Sequence, residues 1–166
     1  MNEMMQRWLS SPVVDADTKA EITAIADNET EVISRFGSTL TFGTGGLRGV
    51  LGAGTNRMNI YVVRHATQGL AELIRKTGEE ACRRGVVVGH DCRILSREFA
   101  VEVCRVLVAN GIKAYLFDEL RPTPEVSFAI RELNCIAGIN ITASHNPKEY
   151  NGYKAYWEDG AQLGIR

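Results

Sequence analysis

No apolar run in this chain approaches the ~18 residues that a helix needs to cross a bilayer. The opening MNEMMQRWLSS lacks the basic stretch and apolar core of a signal peptide. Together these absences make a cytoplasmic protein with no membrane partner the default expectation. Net charge is also scarce, at −1, so no global field recruits nucleic acid, and any anion site must be local. The four cysteines, Cys82, Cys92, Cys104 and Cys135, form no CxxC pair, which argues against a zinc knuckle. Most stand in apolar or helical contexts, so buried, reduced thiols are expected. Internal repeats, low-complexity tracts and linkers are missing too. The 166 residues fit one domain long enough to bury a real core.

What is present alternates between helical and strand patterns. Residues 1–36 read as a helical extension. Asp17 or Thr18 is placed to cap a segment carrying Ile22 and Ile25. Asn28 and Glu31 have capping-box spacing ahead of Val32, Ile33 and Phe36, with Gly37 as a stop. A glycine-rich stretch follows, with a short strand expected around Leu47 to Leu51. Asn59 is placed to cap one long helix reaching about Arg84, because Val62, Val63, Ala66, Leu70, Leu73 and Ile74 recur at helical spacing. VVVGHD predicts a buried strand. Ser96 is the expected cap of the next helix, and Gly111 its stop. KAYLFD predicts another strand. RPTPEVSFAIRELN predicts a loop and helix capped by Thr123 with Pro124 first, then IAGINIT a third strand and GYKAYW a fourth. This alternation predicts an α/β fold, a layered mixed sheet between helices. The tail GAQLGIR provides no closing helix, which would leave one face or edge of the sheet exposed.

Three stretches could carry chemistry. FGTGGLRG, residues 42–49, has glycines that let backbone amides approach an oxyanion, and Arg48 could contact phosphate; a flexible turn with a solvated arginine fits as well. No GK[ST] follows, and the glycines do not read GxGxxG, so neither a Walker loop nor a dinucleotide turn is indicated. VVVGHDCRILS puts His90, Asp91 and Arg93 ahead of a helix start. His90 and Asp91 could ligate a metal, but a loop braced by hydrogen bonds from Asp91 and Arg93 is the better reading. TASHNPKEYNGYK, residues 142–154, is the densest cluster. Its serine does not sit in a GxSxG elbow, and His145 is too close in sequence to serve readily as its base. A phosphate-carrying serine fits better, with His145, Lys148, Lys154 and the distant Arg48 as candidate cations. An ordinary strand-end turn remains the alternative.

TASHNP followed by NGYK resembles the active-site signature of the α-D-phosphohexomutases, the phosphoglucomutase/phosphomannomutase superfamily. FGTGGLRG, GHDCRILS and RPTPEVSFAIR resemble its upstream landmarks in the same order, across roughly residues 37 to 163. The GGLRG form looks most like the branch with bacterial phosphoglucomutases and phosphopentomutases. The resemblance implies that residues 37–166 are the first domain of a four-domain enzyme, cut inside or very near that domain's end. Ser144 would be the phosphoserine, and through its phosphate the one contact to Mg2+. His145 would assist the transfer. Lys154 and Arg48 would orient and deprotonate the attacking hydroxyl or stabilise the moving group, and with Ser144 they would bind substrate. The implied reaction moves a phosphoryl group between C1 and C6 of a hexose monophosphate, with glucose 1,6-bisphosphate as intermediate and activator. The aspartate-rich magnesium loop, sugar loop and phosphate clamp of the other domains are absent from this sequence. The implied partners are therefore those remaining domains, and the chain alone is expected to be a poor catalyst. Two alternatives stand beside this: a phosphopentomutase parent, or a non-catalytic truncated module that binds phosphate or regulates.

Overall fold

The computed structural model describes residues 2–43 and 45–164. Thr44 of the glycine loop and the closing Ile165-Arg166 lie outside them, as does Met1 of the helical extension. Three short helices come first: α1 (Glu3–Ser10), α2 (Ala16–Ala24) and α3 (Glu29–Phe36). Each begins at a side chain that accepts from otherwise unpaired backbone N–H groups. Asn28 accepts from Glu31 N, as its spacing predicts. For α2 the cap is Asp15 rather than Asp17 or Thr18, because Asp15 is the residue in extended conformation and its carboxylate accepts from Thr18 N at 2.8 Å. Met5, Ile22, Val32 and Phe36 close a small core under these helices together with Ala53.

The remaining elements are β1 (Gly46–Val50), α4 (Ile60–Thr77), α5 (Glu79–Arg84), β2 (Val86–His90), α6 (Ser96–Ala109), β3 (Ala114–Leu116), α7 (Thr123–Glu132), β4 (Ala137–Ile141) and β5 (Tyr150–Trp157). The strands form one mixed sheet in the order β1-β5-β4-β2-β3. β2 runs parallel to β3 and β4, the geometry that helical crossovers produce. β5 returns antiparallel between β4 and β1. The expected α/β class and layered mixed sheet are therefore what the chain forms.

Alternation along the strands sorts the two faces. Val86, Val88, Ile139, Ile141 and Tyr153 pack with Phe99, Val103 and Ile74 of α4 and α6 in the main core. Each such buried aliphatic side chain stabilises by about 1.5–3 kcal/mol. The opposite face carries Val87 and Tyr156 against Val126 and Ile130 of α7. That helix packs chiefly on β2 and β4. On the β1–β5 part of this face the Arg48 side chain is exposed.

Several element ends differ from the sequence reading. The helix from Asn59 breaks at Gly78, whose φ of 124° no helix accommodates, so α4 and α5 are separate. Ser96 is the first residue of α6, not its cap. The cap position is Leu95 in left-handed conformation, which leaves the Ser96 hydroxyl free to donate to Asp91 Oδ1 at 2.7 Å. Pro122 holds the corresponding place at α7, so Thr123 leads the helix, Pro124 comes second, and the Thr123 hydroxyl accepts from Asn140 Nδ2 instead. KAYLFD keeps strand geometry only over Ala114–Leu116. All four cysteines are free thiols, but only Cys135 is buried as expected; Cys82 and Cys104 are half-buried and Cys92 is exposed.

Candidate active site

The β4–β5 connection occupies residues 142–149. Thr142 N donates to the Gly152 carbonyl at 3.0 Å and extends the strand ladder by one step. The chain then turns twice, with Asn146 N donating to Ala143 O and Tyr150 N to Pro147 O. Ser144 lies inside the first turn at φ 57°. The left-handed region costs a residue with a Cβ about 1–2 kcal/mol, so something must hold it there. One holder is Thr142, whose hydroxyl oxygen accepts from Ser144 N at 3.1 Å. The side chain that results is exposed. Ser144 Oγ stands 3.4 Å from His145 Nδ1, close enough for assistance but long for a strong O–H···N bond.

The strands bring the two other candidates to this loop. Gly46 pairs with Lys154 and Arg48 with Gly152, and directly paired residues share a face. Leu47 and Tyr153 point into the main core, so Arg48 and Lys154 project to the opposite, open face. The two glycines opposite them let the backbones approach closely, since a Cβ would meet the Tyr153 carbonyl oxygen at 2.1 Å from Gly46 and that of Thr142 at 2.6 Å from Gly152. Arg48 Nη1 donates to Asn146 Oδ1 at 2.9 Å and so reaches the serine loop from a strand nearly a hundred residues upstream. Arg48, Lys154, Ser144 and His145 line one cavity of about 480 Å³, with Thr41 and Gln162 at its rim. No carboxylate lines it, and among the described residues neither Arg48 nor Lys154 has an acidic partner. Two uncompensated cations beside an exposed hydroxyl give this cavity a locally positive character in a chain of net charge −1.

Underneath runs a polar network from β5 to the end of β2. Asn151, fully buried, donates through Nδ2 to the Ile94 carbonyl and to Ser96 Oγ. Ser96 donates to Asp91, which also accepts from Arg93 N. The bracing role read for Asp91 and Arg93 is thus what the loop shows. His90 is buried with Nδ1 3.0 Å from the Asp91 carbonyl. Among the described residues no cluster of three or more His, Cys, Asp or Glu side chains is arranged to hold a metal, so His90 and Asp91 gain no further ligand.

All four sequence-derived site residues meet at the cavity. Lys148 is exposed and not part of its lining. The sequence reading missed Thr142, Asn146 and Gln162. Thr142 and Asn146 flank the serine within TASHNP and are small polar residues able to bond backbone or a neighbour, which is a usable signal. Gln162 carries none.

Comparisons with known proteins give the family. The family described as phosphoglucomutase/phosphomannomutase, alpha/beta/alpha domain I, matches residues 39–165. The chain belongs to that family. Among its relatives, a phosphopentomutase of Mus musculus is 39% identical over 163 residues, covering 95% of this chain and 26% of the relative. A phosphoglucomutase of Staphylococcus aureus (strain bovine RF122 / ET3-1) is 48% identical over 128 residues, covering 77% of this chain and 23% of its own. The crystal structure of a Thermus thermophilus protein described as a phosphomannomutase superposes with a TM-score of 0.68 at 33% identity, over 76% of this chain and 27% of that one. The chain thus spans about a quarter of the length of the relatives it matches. No helix among the described residues is long and apolar enough to cross a membrane.

Proposed function

We propose that this chain is the serine-bearing first part of a sugar-phosphate mutase acting on hexose monophosphates. The observation that carries the reading is the cavity itself: an exposed Ser144 in left-handed conformation, flanked by Arg48 and Lys154 without acidic partners. In the forward half-reaction the bond between phosphorus and Ser144 Oγ breaks while one forms to a free sugar hydroxyl. Lys154 takes up that hydroxyl's proton, and His145, 3.4 Å from Ser144 Oγ, gives one to it. Arg48 stabilises charge on the moving group. The bisphosphate sugar, of the glucose 1,6-bisphosphate type, then turns over. Its other phosphoryl group passes to Ser144 Oγ, and each proton transfer runs in reverse. Transfer between C1 and C6 is the net result.

Magnesium belongs to this reading as the counter-charge for the phosphoryl group. The described residues do not themselves form a site for it, since among them no carboxylate lines the cavity. The phosphate on Ser144 would be its one contact here, the other ligands coming from the remaining mutase domains. The mouse phosphopentomutase match favours a second reading, in which the sugar is a pentose phosphate.

The test is to incubate the complete natural polypeptide with glucose 1,6-bisphosphate and map the phosphopeptides. One phosphoryl group on Ser144, absent from Ser144→Ala, is the expected result. Label on another residue, or no label at all, sinks the reading and favours a non-catalytic module. Comparing turnover of hexose and pentose monophosphates then separates the two sugars.

A further inference from the structure

We propose that Arg93 is a positioning residue for Ser144: its guanidinium fixes the serine loop and does not touch the substrate. This role rests on the reading of Ser144 as the phosphate carrier. Arg93 Nη2 donates to the Ser144 carbonyl at 2.8 Å and to the Asn146 carbonyl at 2.6 Å. Nη1 donates to the carbonyls of Pro147 at 2.8 Å and Tyr150 at 3.1 Å. Nε faces Asp91 Oδ2 at 3.4 Å. Of the five N–H donors of a guanidinium, the four on Nη1 and Nη2 each bond a backbone carbonyl, and the fifth, on Nε, faces the Asp91 carboxylate. The side chain is only 12% exposed. No Nη donor is left for a phosphate, whereas Arg48 spends one bond on Asn146 and faces the cavity.

Four of the acceptors are backbone carbonyls distributed along the loop from Ser144 to Tyr150. The peptide unit after Ser144 is held by Arg93 and the one before it by Thr142, so the left-handed conformation is clamped from both sides. Asp91 in turn is fixed by Ser96 and by Arg93 N, and Ser96 by the buried Asn151. The clamp therefore stands on β2, α6 and β5 together. A lysine cannot replace it, because three donors on one nitrogen do not span four carbonyls in a planar fork.

The test uses Arg93→Lys in the complete natural polypeptide, with two readouts. The backbone 13C shifts of Ser144 are expected to leave the left-handed range. The kcat is expected to fall by about 10²-fold with KM unchanged, since misplacing a reacting group by about 1 Å has that effect. Unmoved Ser144 shifts in Arg93→Lys overturn the proposal. So does a raised KM with kcat intact, which would put Arg93 on the substrate. Where the wild-type protein shows no mutase turnover, the proposed function fails, while the Ser144 shifts still decide the role of Arg93. Should the variant not fold, the wild type decides: a fully bonded guanidinium gives separate, slowly exchanging Nη proton signals, and a single averaged signal refutes the clamp.

Discussion

Gly152 faces Arg48 across the β1–β5 pair, and a methyl group there would stand 2.6 Å from the Thr142 carbonyl oxygen and 2.9 Å from that of Leu47. Both are backbone atoms in the ladder and have no room to yield. Gly152→Ala is therefore expected to destabilise the chain by about 1–3 kcal/mol, the range for overpacking, and to displace Thr142, which holds Ser144. A urea titration checks the first part, and an unchanged midpoint would show that the strands can part there. At this scale the sequence disclosed residue types better than relations. Ser144, His145, Arg48 and Lys154 are legible because chemistry demands those side chains. The reach of Arg93 is not, since its acceptors are carbonyls more than fifty positions away, and carbonyls belong to every residue.

Among the elements, the strands were readable from β-branched runs, and the starts of α3 and α4 from the caps Asn28 and Asn59. Breaks were harder. Gly78 interrupts a continuous apolar pattern, because residues before and after it bury on compatible faces even though the backbone turns between them. Asp15 lost to Asp17 and Thr18 in the sequence because its second role is tertiary. Tyr61 of α4 donates to its carboxylate and accepts from its backbone N–H. That donation, followed by the bond from Thr18 N, holds the Asp15 carboxyl down from 3.8 to about 2. A depressed folded-state value stabilises above the unfolded value, and the benefit is lost as pH falls through the folded one. Asp15→Asn keeps a capping oxygen but loses the charge. The variant is expected to be less stable near neutral pH by no more than about 1 kcal/mol, because the group is exposed and screened. The difference should close as pH falls from 3.8 to about 2. Urea midpoints of both proteins across the acid range test this; a gap that stays constant would mean the Tyr61 contact does not favour the charged form.

The whole molecule joins a balanced overall charge to one unbalanced cavity, and the fold explains how. β5 runs antiparallel in an otherwise parallel arrangement, which brings β1 to the sheet edge beside the serine loop. α7 covers the other strands of that face, so Arg48 and Lys154 meet solvent at the uncovered part. This much favours an anion. On the proposed function more is required, because charge developing on a transferring phosphoryl group needs donors and counter-ions on all sides. The cavity supplies them from one wall, and the chain spans about a quarter of the relatives it matches. Losing even one preorganised donor lowers a rate by about 10²–10³-fold. The 166-residue chain assayed alone is therefore expected to turn over hexose phosphate at least about 10³-fold more slowly than the complete natural polypeptide, while still binding inorganic phosphate at the Arg48–Lys154 cavity. A coupled assay for the product sugar phosphate measures the first, and phosphate-induced shifts of the Lys154 and Ser144 amides measure the second. Equal turnover in the two proteins would mean that one wall suffices, and the charge on the moving group would then have to be met by Arg48, Lys154 and His145 alone.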